Sequence, residues 1–302
     1  MTHVATLIAN PNGSGLGDDV LARARAALPG AADPVWLDRN VAADISFTPE
    51  AGIDQRLLTE RLRELFGSQP IDIVVQPLAH RRKILLVADM DSTMIEQECI
   101  DELADFAGLK AHISAITERA MRGEIAFEPA LRERVALLKG LPVAVVDEVI
   151  ENRITLTPGA RLLVNTMRKA GAHTCLVSGG FSLFTQPISE MIGFDESHAN
   201  TLLIENGALS GQVEEPVMGR EAKLDTLLEL ARHLRVPLEK TLAVGDGAND
   251  LAMIARAGLG VAYHAKPAVA AAAHARIDHG DLSALLYMQG YRREEFTERD
   301  VS

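Results

Sequence analysis

The chain has 302 residues, 47% of them apolar, and a formal net charge of −12. That length suggests two domains and a substantial core, and the acidity argues against nucleic acid as a partner. Cys99 and Cys175 are too few for a disulfide framework, no apolar run nears the ~20 residues that span a bilayer, and MTHVATLIANPNG lacks the features of a secretory signal, which leaves a cytoplasmic protein with no membrane partner as the expectation.

In chain order, residues 3–9 (HVATLIA) read as a strand and residues 17–28 as a helix. Strand-like pieces follow at Pro34–Leu37 and Asp44–Phe47. A helix then runs to Phe66, with Thr48 expected as its N-cap and Pro49 in its first turn. Ile71–Val75 is the next strand. The order βαββαβ is the ferredoxin-like pattern. The glycine-rich run at residues 12–17 lacks the spacing of a nucleotide-binding loop and reads as a flexible turn. Residues 77–83 (PLAHRRK) read as a linker whose three basic side chains sit in solvent.

Ile84 to Ala88 form an unbroken apolar run, as expected of a strand buried on both faces of a parallel sheet. Asp89 and Asp91 follow, two residues apart and therefore directed to one side. They stand at the carboxyl end of the strand, where open α/β sheets bind ligands. Such a pair of like charges is costly to bury unless a cation or a proton holds it together. A lone DxD is ordinarily an N-cap or a solvated turn, but here matching pieces recur downstream.

Glu96–Ala107, Ile113–Arg122, Phe127–Lys139 and Val143–Asn152 carry apolar residues at three-to-four spacing, which predicts a small helical insertion over the site. Thr157 and Pro158 then open a helix, with Thr157 as N-cap, that stops near Gly171. His173–Val177 is a second apolar strand running into Ser178, Gly179 and Gly180, a hydroxyl and two glycines that let backbone N–H groups approach an anion. Ala199–Ile204 and Ala208–Glu214 flank Asn206-Gly207, a hairpin signal. Lys223 opens a helical pattern. Thr241–Val244 is a third strand, emptying into residues 245–250 (GDGAND). Leu259–Tyr263 reads as a strand and the alanine-rich Lys266–Ile277 as a helix.

Together these pieces supply a nucleophile-plus-acid pair, a phosphate cradle, a fixed cation and an acidic metal-ligating loop. With DMDST, SGG, Lys223 and GDGAND in this order, the chain resembles the haloacid dehalogenase superfamily of aspartate-nucleophile phosphatases. DMDSTMIEQECIDELA, MRGEIAFEPALRERVALLKGLP, VSGGF and GDGANDLAMI resemble, within it, the phosphoserine phosphatases, over residues 80–290. The resemblance implies a doubly wound, mostly parallel α/β sheet at residues 80–302, with a helical cap inserted at about 97–156. Residues 1–79 resemble the ferredoxin-like, α+β ACT-type accessory domains of some of these enzymes.

The same resemblance implies roles. Asp89 is the nucleophile that forms an aspartyl-phosphate, and Asp91 the general acid and then base. Mg²⁺ would be held by Asp89, the backbone carbonyl of Asp91, and Asp246, an all-oxygen set. Ser178, Gly179, Gly180 and Asn249 would surround the phosphoryl group, with Lys223 as fixed positive charge. Asp250 would hold Lys223 or a metal-bound water, a role compatible with an N-cap for Leu251–Ala257. Glu98 would meet the substrate ammonium and Arg134 its carboxylate, under apolar cover from Met121 and Phe127. By their residue types alone, Glu98 could equally be an exposed first-turn acid and Arg134 one charge on a solvated helix face.

The implied activity is hydrolysis of O-phospho-L-serine, the last step of serine biosynthesis, on a small-molecule substrate. A one-methyl difference is worth only ~1–3 kcal/mol, so another small phosphorylated amino acid is an alternative. A non-catalytic amino-acid sensor is a second; loss of Asp89, Asp91 or Lys223 would have marked it, and all three are present. The sequence leaves room for a homo-oligomer.

Overall fold

The computed structural model describes residues 1–10, 13, 15–50, 52, 54–121, 124–219 and 221–297, the side chains of residues 120 and 121 excepted. It begins with β1 (His3–Ala9), α1 (Asp18–Ala26), β2 (Val35–Asp38), β3 (Ala42–Phe47), α2 (Gln55–Phe66) and β4 (Ile71–Pro77). The four strands form an antiparallel sheet in the order β2-β3-β1-β4. This is the ferredoxin-like arrangement that the element order predicts. Because successive side chains in a strand alternate faces, Ala5, Leu7 and Ala9 pack with Leu62 and Phe66 of α2, while Ile8 and Val74 join the larger core behind the sheet.

One expectation fails here. Helix α2 starts at Gln55, and its N-cap is Asp54, which accepts the Arg56 N–H at 2.9 Å, rather than Thr48. A short carboxylate is among the best acceptors for an orphan N–H of the first turn.

The rest of the chain builds an α/β core. β5 (Leu85–Asp89) leads into four helices, α3 (Cys99–Phe106), α4 (Lys110–Met121), α5 (Phe127–Leu137) and α6 (Ala144–Arg153). Then come α7 (Ala160–Lys169), β6 (His173–Phe181), α8 (Ser182–Ile192), β7 (Glu196–Asn200), and the hairpin of β8 (Leu202–Glu205) and β9 (Ala208–Val213). The last part contains α9 (Ala222–His233), β10 (Thr241–Gly245), α10 (Leu251–Arg256), β11 (Leu259–Tyr263), α11 (Pro267–Ala272), β12 (Ala275–Ile277) and α12 (Ala284–Met288). The sheet order is β12-β11-β10-β5-β6-β7, with all neighbours parallel. Leu86, Ala88, Leu176 and Val244 face one helical layer; Leu85, Val87, Cys175 and Ala243 face the other, with Leu227 and Met253. The sheet is covered on both sides, which is why its central strands read as continuous apolar runs.

Helices α3–α6 form the insertion expected after β5. The two segments that connect it run side by side, Ile95 bridging Leu156. Three boundaries differ from expectation. Thr157 does not cap α7; Gly159 does so by position, at φ 84, where a Cβ would come 2.6 Å from the Ser283 N. The segment Ala199–Ile204 is split between β7, an edge strand of the large sheet, and β8. The helix expected over Lys266–Ile277 ends at Ala272, and the remainder becomes β12. The hairpin turn has φ 51 at Asn206 and φ 79 at Gly207, as a two-residue primed turn requires. Among the described residues no helix is long and apolar enough to cross a membrane.

The segment joining the two sheets departs most from its reading. Two of its three basic residues, Arg81 and Lys83, are drawn out of solvent, while Arg82 stays exposed. Arg81 grips Asp44 through two nitrogens, at 2.6 and 2.7 Å, and also donates to Thr6 Oγ1 and to the carbonyls of Tyr287 and Met288. Arg82 lies over the Tyr291 ring and pairs with Glu295, and Lys83 is buried. From β4, Asp72 accepts the backbone N–H groups of Asp278, His279 and Gly280. Tyr287 donates to Asp38 at 2.6 Å. The N-terminal sheet is thus bonded to a segment two hundred residues later.

Removing one partner of a buried ion pair strands the other. Asp44→Ala is expected to cost about 3–5 kcal/mol, read as a lower urea midpoint, because it leaves Arg81 buried without its carboxylate. Glu295→Ala removes only the half-exposed partner of Arg82 and should cost under about 1 kcal/mol. Equal losses would show that the Arg81 pair is no tighter a link than the surface one.

Candidate active site

The site lies at the carboxyl ends of β5, β6 and β10, brought level by register: Asp89 pairs with Val177, and Ala88 with Val244. The chain lays β5, β6 and β7 to one side and β10, β11 and β12 to the other, so the crevice beside β5 is the switch point of the sheet.

Asp89 is the last residue of β5 and is buried. Its Oδ1 accepts the Met90 N–H at 2.8 Å and a hydrogen bond from Lys223 Nζ. Lys223 stands in the first turn of α9, buried, and also donates to Asp250 Oδ1 at 2.6 Å. The other Asp250 oxygen accepts the Gly247 N–H at 3.0 Å. Asp250 therefore occupies the N-cap position of α10 without capping it. Gly245 makes room, since a Cβ there would sit 2.4 Å from Asp250 Cγ. Burial, and then the Asp250 carboxylate, push the Asp89 carboxyl up, with Lys223 opposing them. Burial would lower Lys223, but the two carboxylates outweigh it and the ammonium is held above its ordinary value.

After Asp89 the chain turns sharply, with Ser92 at φ 56. This turn aims Asp91 sideways. Its Oδ1 accepts the Cys99 N–H at 2.8 Å, at the amino end of α3, and its Oδ2 accepts from Ser178 Oγ at 3.0 Å. Ser178 Oγ in turn accepts the Gly180 N–H at 2.9 Å. A Cβ on Gly179 would meet the Phe127 ring at 3.3 Å, and one on Gly180 would come 3.0 Å from Ser178 Oγ, so both positions are filled up to the backbone. Phe127, from the insertion, thus covers the loop.

Glu98 accepts from Ser92 Oγ at 2.7 Å. Although it reaches solvent, the walls of the cleft, then the Asp91 carboxylate, push it up to about 7. Arg134 is half-buried on α5 and donates to the Ala130 carbonyl and, at 3.5 Å, to Thr117. Burial lowers it, while Asp101 and Glu98 pull the other way. Among the described residues no carboxylate forms an ion pair with it. The Met121 side chain lies outside the described residues. Asn249 is half-buried in the GDGAND loop, its Oδ1 against Gly247.

Carboxylate oxygens of Asp89, Asp246 and Asp250 lie within 4.8 Å of one another. Thr93 donates to Asp246 at 3.5 Å. Burial, then Asp250, raise Asp246 to about 6. A cluster of oxygen donors whose mutual repulsion is only partly offset by one lysine fits a hard divalent cation such as Mg²⁺, and it offers no nitrogen or sulfur ligand. Asp91 lies outside this cluster by its side chain, which is spent on Ser178 and Cys99.

Two contributors escaped the sequence. Asn200, at the end of β7, donates to the Gly179 carbonyl at 3.0 Å and accepts the Met218 N–H at 2.7 Å, tying the SGG loop to the approach to α9. Thr93 supports Asp246. Neither carries a local signal: the sequence placed Asn200 mid-strand, and Thr93 is one more small polar residue.

A family model of haloacid dehalogenase-like hydrolases matches residues 86–255. A phosphoserine phosphatase of Archaeoglobus fulgidus is 46% identical over 234 residues, covering 77% of this chain and 68% of that one. With two other curated relatives, the chain spans 60–68% of the relatives' lengths. Among solved structures, a HAD family hydrolase of Salmonella enterica serovar Typhi superposes with TM-score 0.85 at 30% identity, over 95% of this chain and 98% of that one. A phosphoserine phosphatase in a phospho-aspartyl intermediate analogue form superposes with TM-score 0.63 at 41% identity, over 68% of this chain and 98% of that one.

The raised carboxyls set a pH dependence. Glu98 and Asp246, raised to about 7 and about 6, keep protons in the folded state that the unfolded chain has already released. Without divalent ions, stability should therefore fall as pH rises from about 5 to about 7.5. Thermal unfolding in chelator checks this: the midpoint should drop across that interval, and Asp246→Asn should shrink the drop. A midpoint that rises over the interval would contradict the burial of these groups.

Proposed function

The chain belongs to the haloacid dehalogenase-like hydrolase family, and from that premise we propose that it is a Mg²⁺-dependent phosphoserine phosphatase, releasing L-serine and phosphate. The observation that carries the reading is the contrast between two neighbouring carboxylates. Asp89 is buried against a lysine, whereas Asp91 is held by Ser178 and the Cys99 N–H beneath a cap whose Arg134 forms no ion pair among the described residues. The family match and the phosphoserine phosphatases among its relatives support it.

In the first step an Asp89 oxygen attacks phosphorus. With Oδ1 taken by Met90 and Lys223, Oδ2 is the oxygen left to do so. The bond from phosphorus to the seryl oxygen breaks, and protonated Asp91 gives that oxygen its proton. In the second step Asp91 takes a proton from water, whose oxygen attacks phosphorus and breaks the bond to Asp89. Ser178, the Gly179 and Gly180 backbone, Asn249 and Lys223 neutralise and orient the phosphoryl oxygens. Mg²⁺, held by Asp89, Asp246 and the Asp91 carbonyl, would supply positive charge against the phosphoryl group when bound. Asp250 keeps Lys223 in place. Glu98 takes the substrate ammonium and Arg134 its carboxylate, with Met121 and Phe127 as apolar cover. Residues 1–79 serve as an ACT-like accessory domain and 80–302 as the catalytic domain, its cap at about 97–156. The setting is the cytoplasm, on a small-molecule substrate, with no nucleic-acid or membrane partner.

Asp89→Asn keeps the size of the side chain but removes the attacking charge, so turnover should fall by orders of magnitude. Acid quench of wild type with radiolabelled substrate should leave hydroxylamine-labile label on the protein. Label retained on the Asn variant would exclude Asp89 as the nucleophile.

Arg134→Ala should cut kcat/KM for phosphoserine by roughly 2–4 kcal/mol, the loss of a charge-assisted contact. Hydrolysis of an aryl phosphate, which has no carboxylate to bind, should change little. Equal losses on both substrates would make Arg134 a phosphate or structural residue.

A further inference from the structure

A crevice of about 770 Å³ lies between the start of α2, the end of β4, the connecting segment and the loops entering β10 and β11. These are the amino ends of the core strands, so the crevice sits at the opposite edge of the sheet from Asp89. Arg56, His80, Lys83, Arg256 and His274 line it, against the acids Asp54 and Glu239. For a chain of net charge −12 this is a local reversal of sign.

Lys83 is 5% exposed. Its ammonium makes a single hydrogen bond among the described residues, to the Glu239 carbonyl at 2.7 Å, although it has three donors to place. No carboxylate of the described residues forms an ion pair with it, and a buried charge without its counter-ion is costly. Burial lowers it to about 8, with the Glu239 carboxylate opposing. Asp54 is occupied with the Arg56 N–H in capping α2. His274 Nδ1 accepts the Gly260 N–H at 3.0 Å, which places the ring proton on Nε2 as a donor. Burial, then the charges of Arg56 and Lys83, hold His274 below its ordinary value, so these three groups converge.

We propose that this crevice binds a phosphate-bearing small molecule, with Lys83 at its floor and Arg56 and Arg256 on facing walls. Several cations arranged around one space suit an anion with several oxygens. Pro77, Leu238 and Ala257 offer apolar wall to its organic part. Because Arg56 belongs to the N-terminal sheet's helix and Arg256 to the core, the ligand ties the two together and raises the stability of the whole chain.

Calorimetric titration of the full chain, freed of divalent ions, with inorganic phosphate tests this. Saturable binding is expected in wild type, weakened about tenfold or more in Arg256→Ala and in Lys83→Met, as for a lost charge-assisted contact. Arg256 is exposed, so its variant should fold even if the buried Lys83 change does not. Phosphate binding unaltered in Arg256→Ala, or no saturable binding in wild type, would overturn the site. Succinate binding that Arg256→Ala weakens, without phosphate binding, would overturn the ligand class.

Discussion

The ammonium of Lys223, enclosed between the carboxylates of Asp89 and Asp250, is the interaction on which the site depends. It stands in the first turn of a helix, where the macrodipole disfavours a cation. Burial disfavours it too. Only the two carboxylates, delivered from different strands, make that position tenable. In return the lysine makes tolerable two buried carboxylates that would otherwise repel. The three groups hold the ends of β5, β10 and α9 in one geometry, and a glycine is required at 245 because Asp250 must turn inward to complete it.

Around that fixed centre the remaining parts of the site come from two sources. The SGG loop is bonded from both sides, by Asp91 through Ser178 and by Asn200 through the Gly179 carbonyl. Glu98 stands just before α3, and Phe127 and Arg134 on α5, in the insertion whose two connections lie side by side at Ile95 and Leu156. Under the proposed function, contacts from the cap to the variable part of a substrate would separate selectivity from the chemistry on the floor.

The N-terminal sheet is secured by the same physics of enclosed charge. Arg81 and Asp44 form a two-nitrogen pair, and Asp72 takes successive backbone N–H groups near residue 279. Paired and bonded on every side, these groups hold the sheet in one orientation on the core. Lys83, by contrast, is buried with one acceptor among the described residues, and the difference between it and Arg81 two residues earlier singles out the crevice.

Much of this was legible in the chain itself. The apolar runs before Asp89, Ser178 and Asp246 required strands buried on both faces, and a parallel sheet then forces the three loops to one edge, because parallel strands end together. Strand-like pieces at residues 3–9 and 71–75 and the βαββαβ order sufficed for the N-terminal sheet. What the tertiary structure decided is everything set by partners far along the chain. Thr48 and Thr157 are good capping types that lost to Asp54 and to a crowded Gly159. The strand at Ala275–Ile277 exists because β11 offers it an edge, against the helix preference of its alanine-rich neighbours. The fate of Arg81, Arg82 and Lys83 rested on residues near 288, 295 and 239. Propensity and periodicity act over a few residues and can be read in place, whereas burial of a charge depends on which distant groups the fold brings to meet it.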